Sequence, residues 1–108
     1  MGKDPFAISG LRTRLGGAVL SIMQSTDTLQ ERLLEAFKND LLIAFSVKDR
    51  LPTDLREQVE VVFKTVTRIA PTDKESSIEA TTRKMSDPEA CSVMEKILII
   101  YDRVREIG

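Results

Sequence analysis

The sequence predicts an all-α protein: an antiparallel four-helix bundle with one short extra helix, formed as a single domain over residues 1–108. Three observations predict it. Apolar residues recur three and four apart along four long segments, the spacing that puts them on one helix face. Ser, Thr and Asp stand where those segments begin, as helix caps do. The connections between segments are short, which makes successive helices neighbours of opposite direction. The balance of 42% hydrophobic and 31% charged residues is that of a globular chain.

The first segment runs from about Pro5 to Ser25, with Asp4 and Pro5 as a cap and first-turn pair. Its stripe is Ile8, Leu11, Leu15, Ala18 and Ile22. Gly10, Gly16 and Gly17 oppose it, since glycine costs about 1 kcal/mol relative to alanine inside a helix. The Gly16-Gly17 pair either breaks the segment or lets another helix approach closely.

The second segment covers about Thr28 to Arg50. A capping box can form from Asp27 with Gln30 or from Thr28 with Glu31. Leu29, Leu33, Phe37, Leu41 and Ala44 form one stripe, and Leu34, Leu42, Ile43, Phe45 and Val47 widen it until the middle is apolar nearly all round. Pro52 stops it.

The third segment, about Asp54 to Ala70, opens on a box-like Asp54 and Glu57 and carries Leu55, Val59, Val62, Val66 and Ile69. The largely β-branched alternation Val59, Val61, Phe63, Thr65, Thr67, Ile69 is a rival strand pattern. The cap and the whole-turn stripe favour helix. A loop follows from Ala70 to Glu75, then a short, weakly apolar helix from Ser76 to Met85, expected on the surface and mobile.

The last segment, Asp87 to Ile107, opens on a Ser86/Glu89 capping box with Pro88 in the first turn. Ala90, Met94, Ile97, Tyr101 and Val104 form one row, with Val93, Ile100 and Ile107 beside it. Arg103 and Arg105 suit the negative end of the helix dipole, and Gly108 is a natural stop.

Chemistry is constrained by what the chain lacks. It has no histidine, the commonest general base near neutral pH and the commonest metal ligand. Neither a Ser-His-Asp triad nor a Cys-His dyad can be built. The glycines match no phosphate-binding loop, and the acids match no calcium loop. The reading is therefore a non-enzyme with no catalytic, cofactor-binding or metal-ligating residues and no small-molecule substrate. Cys91 is the one cysteine, so no intrachain disulfide forms, and it reads as a small buried hydrophobe. The longest apolar runs, Leu41 to Phe45 and Ile97 to Tyr101, are too short to cross a bilayer, and no signal peptide is apparent. A cytoplasmic location, away from membranes, is expected.

The function expected is a helical protein–protein interaction or regulatory module, with a homodimer as one form of it. Surplus apolar faces on the second and last segments are the reason. Leu42, Ile43, Phe45, Val93, Ile100 and Ile107 are the residues expected to be shared between core and partner interface. The alternative is a nucleic-acid-binding regulator. It would use Arg12, Arg14, Lys48 and Arg50 on phosphates, with a helix-turn-helix-like segment across Lys48 to Arg68. The net charge of -1 and the acids Glu57 and Glu60 oppose it.

Overall fold

The computed structural model describes residues 5–107, and every regular element among them is helical. The proposed Asp4 cap and the Gly108 stop lie outside the described residues. In order, the elements are α1 (Pro5–Gln24), α2 (Leu29–Ala36), a π-helical segment (Phe37–Leu41), α3 (Leu42–Phe45), a 3-10 turn (Lys48–Arg50), α4 (Thr53–Val66), α5 (Ser77–Arg83) and α6 (Asp87–Ile107). The Cα radius of gyration, 13.4 Å, is what a compact chain of this length should have.

The glycine pair does not break α1. Instead, Gly16 admits the Tyr101 ring of α6, and Gly17 faces the Asp40 carboxylate. A Cβ on Gly16 would stand 3.3 Å from the Tyr101 hydroxyl. Close approach is therefore the role of Gly16, and Ile8, Leu11, Leu15 and Ala18 line the buried side as their spacing requires.

Residues 29–45 form one rod capped by Thr28, whose hydroxyl accepts the Glu31 N–H at 3.2 Å. The π-helical segment widens one turn, with the Leu42 N–H bonded five residues back to Phe37. Phe37 and Phe45 meet edge to face, with ring centroids 6.2 Å apart, inside the core. The rod ends before its expected limit at Arg50. Leu51, immediately before Pro52, is extended (φ −92°, ψ 156°), as proline requires of its predecessor, and only a 3-10 turn fits in between.

The strand alternative for α4 fails, because Leu55, Val59, Val62 and Val66 are all buried on one helical face. The expected Asp54–Glu57 box does not form. The helix starts at Thr53 without a side-chain cap, and Asp54 is bonded to Arg103 of α6 instead. α5 corrects a second expectation. It starts on a complete Ser76–Glu79 capping box, but Ile78, Ala80, Thr81 and Thr82 are buried, so it is no surface helix. The Thr81 hydroxyl accepts the Ile69 N–H at 3.0 Å, and the Ser77 hydroxyl lies within bonding distance of the Thr67 and Ile69 carbonyls. These bonds draw the preceding loop onto α5 and bury the threonine faces.

α6 sits at the middle, against α1, α2 and α4. Its Ala90, Val93, Ile97, Ile100 and Val104 are buried, while Met94, Tyr101 and Ile107 pack partly buried against the same core. Gln30 of α2 donates 2.9 Å bonds to the Met85 carbonyl and to Asp87, fixing the start of α6 beside the start of α2. Ion pairs Asp54–Arg103 and Arg68–Glu89 join opposite ends of α4 and α6, so these two helices run in opposite directions.

Candidate functional site

The residues expected at an interface separate into two groups. Phe45, Val93 and Ile100 retain at most 3% exposure and belong to the chain's own core. Ile107 is half-buried against that core. Leu42 (39%) and Ile43 (52%) remain exposed. The π segment and α3 thus turn Ala44 and Phe45 inward and leave Leu42 and Ile43 facing out.

Ile43 lies in a shallow pocket of about 250 Å³ that also involves Phe6, Gly10, Arg14, Val47 and Arg50. Two of the four basic residues proposed for phosphate contact, Arg14 and Arg50, are therefore brought together. Arg14 also pairs with Asp40 at 3.5 Å. Among the remaining arginines, Arg83 is tied to Glu31, Glu75 and Glu79, and Arg103 to Asp54 and Glu106. Arg105 pairs with Asp102 and lies over the Tyr101 ring at 5.6 Å. Hydrogen bonding to Glu75 outweighs desolvation and raises the Arg83 pKa further, so this arginine acts as a tie between α5, α2 and the loop.

A larger groove, about 460 Å³, runs between α4 and α6. Asp54, Glu57, Gln58 and Val61 of α4 line it, with Lys96, Ile99 and Ile100 of α6. Val61 and Ile99 are each 50% exposed, while Ile100 belongs to the core beneath. The Gln58 carbonyl Oε1 is buried and accepts no hydrogen bond. A buried acceptor left unpaired costs about 1–3 kcal/mol. At one end, the Arg103 hydrogen bond lowers the Asp54 pKa despite some opposing desolvation. No ion pair among the described residues uses Glu57 or Lys96; Lys96 donates to the Ser92 hydroxyl at 3.2 Å.

Sequence reasoning missed this groove. Val61 and Ile99 lie outside the stripes that define their helices, and an apolar residue off the stripe is the signal that marks them. Cys91, read as buried, is exposed. It follows Ala90 by one residue, about 100° around the helix and off the buried face. Among the described residues, no three acids or cysteines gather where a metal ion would sit. None of the described helices is long and apolar enough to cross a membrane.

No family model, curated protein or solved structure gives a significant match to this chain.

Proposed function

We propose that this chain is a non-enzymatic protein–protein interaction module that takes a helical partner on the α4–α6 groove. In this reading α1, the 29–45 rod, α4 and α6 act as an antiparallel four-helix bundle, with α5 as the short extra helix, working in the cytoplasm. The groove is the observation that carries it. Two exposed β-branched side chains flank an apolar floor that holds an unpaired buried acceptor. Side chains of an amphipathic helix fill such a furrow at three- and four-residue spacing.

The test is selection of binders from a displayed library of helical peptides against the full chain. The selected peptides are then measured on the Val61→Asp/Ile99→Asp double variant. Both positions are exposed, so circular dichroism should show the helices retained. Affinity is expected to fall at least about tenfold, equivalent to about 1.4 kcal/mol. Peptides that bind both proteins equally would refute the reading.

A second reading is favoured by the meeting of Arg14 and Arg50 in one pocket: a nucleic-acid-binding regulator gripping phosphates there. It requires retardation of duplex DNA at about 50 mM salt that weakens steeply as salt rises. Absence of any retardation at that salt would remove it.

A further inference from the structure

We infer that the occupant of the α4–α6 groove is a second copy of this chain, an inference that rests on the reading of that groove as a docking site. The pattern of charge around the groove is the reason. Asp54 pairs with Arg103 and Arg68 with Glu89, which places Val61 level with Lys96, and Glu57 level with Ile100. Glu57 and Lys96 therefore stand at diagonal corners, on different helices and about 6 Å apart along the axis at 1.5 Å per residue. Val61 and Ile99 occupy the other diagonal, Val61 on α4 level with Lys96 and Ile99 on α6 within one residue of the level of Glu57.

A two-fold axis lying obliquely across such a face exchanges the corners. Lys96 of each copy meets Glu57 of the other, while Val61 and Ile99, lying along the axis, each pack against their own counterpart. One surface serves both sides, which is the requirement of an isologous dimer. A lysine ammonium has three donors. In this arrangement it reaches the Glu57 carboxylate of the second copy. Neither Glu57 nor Lys96 needs to leave an existing ion pair to do this. A foreign helix can satisfy the apolar part of the groove, but the paired diagonal charges require complementary charges that this face already carries.

The experiment is sedimentation equilibrium of the full chain over a concentration series at low salt, with circular dichroism on every variant. The wild type should approach twice 12.1 kDa as concentration rises. Glu57→Lys and Lys96→Glu should each weaken association at least about tenfold, and the two together should restore it, because the swap recreates both contacts in reversed sense. Ile99→Asp should leave a folded monomer. A dimer indifferent to Ile99→Asp, or a double swap that fails to recover association, would overturn the inference. A wild type that stays monomeric throughout would overturn it as well. In that last case the peptide selection separates the two ideas. Groove-dependent peptides would preserve the docking reading without self-association, and their absence would end both.

Discussion

Alanine at each α1 glycine should give three different answers from one chemical change. All three sites lie inside the helix Pro5–Gln24, where glycine costs about 1 kcal/mol relative to alanine. What differs is the space. A Cβ on Gly10 meets nothing within 4 Å, so Gly10→Ala should gain the full amount. On Gly17 its nearest neighbours are the Asp40 carboxylate oxygens, both at 3.5 Å, which is ordinary van der Waals contact; the gain should again be close to 1 kcal/mol. On Gly16 it stands 3.3 Å from the Tyr101 Oη and 3.7 Å from Cε1 and Cζ, so the ring must retreat by a few tenths of an ångström. Tyr101 is partly buried against the core and carries Arg105 over its face, so moving it disturbs both contacts. The propensity gain is offset, and Gly16→Ala should end near zero or below. In a chain of this size, about 1 kcal/mol corresponds to roughly 4 °C in Tm. Gly10 and Gly17 share no neighbour, so the double variant should add to about 2 kcal/mol. Urea and thermal unfolding at low protein concentration measure the series. A loss at Gly10, or a gain at Gly16 equal to that at Gly10, would refute the reasoning.

Three further outcomes follow from the core, the α5 latch and the exposed ion pairs. Phe37→Ala, at a fully buried site touching Phe45, should cost about 3–5 kcal/mol in urea unfolding. Thr81→Val removes the acceptor of the Ile69 N–H and should cost about 1–3 kcal/mol, with faster hydrogen exchange at Ile69. Thr82→Val loses only bonds to the Ile78 and Glu79 carbonyls within the same helix, at 2.7 and 3.4 Å, and should cost less, with Ile69 exchange unchanged. Glu89 has its pKa lowered, first by the Arg68 hydrogen bond and then by bonds from Ser86. Its contribution is present above the ordinary carboxylate pKa and is lost as pH falls through the depressed folded value. Glu89→Gln should therefore lower Tm at neutral pH and flatten the acid limb of a Tm-against-pH curve.

The elements were legible where local chemistry and periodicity agreed. Ser86 and Glu89 start α6, and two adjacent rows along it both face the core, with Met94, Tyr101 and Ile107 only partly buried. Thr28 caps the rod, with one half of the expected reciprocal pair in place. The alternation of Val59, Val61 and Phe63 competed with a helical stripe in α4, and the stripe prevailed because α6 offers it a complementary row. α5 was misread because its burial depends on hydroxyls rather than hydrocarbon. Thr81 and Thr82 look polar in sequence, yet once Ile69 and Ile78 take up their oxygens they can be enclosed.

The candidate site was harder to see for a related reason. Phe45, Val93 and Ile100 drew attention because they lie in conspicuous apolar rows, and those rows are what one chain needs to fold. A residue on the stripe is already claimed by the core, so surplus has to be sought between stripes. Val61 lies between Val59 and Val62, and Ile99 between Ile97 and Ile100. Each looks redundant until the opposed directions of α4 and α6 place them on one groove. Neither helix alone contains that surface, and neither periodicity predicts it. It arises from the register fixed by Asp54–Arg103 and Arg68–Glu89. The same register sets Glu57 and Lys96 at diagonal corners, which makes the charge-swap pair the decisive comparison. A merely apolar furrow would respond to Ile99→Asp alone. Only a self-complementary one would lose association with either swap and recover it with both.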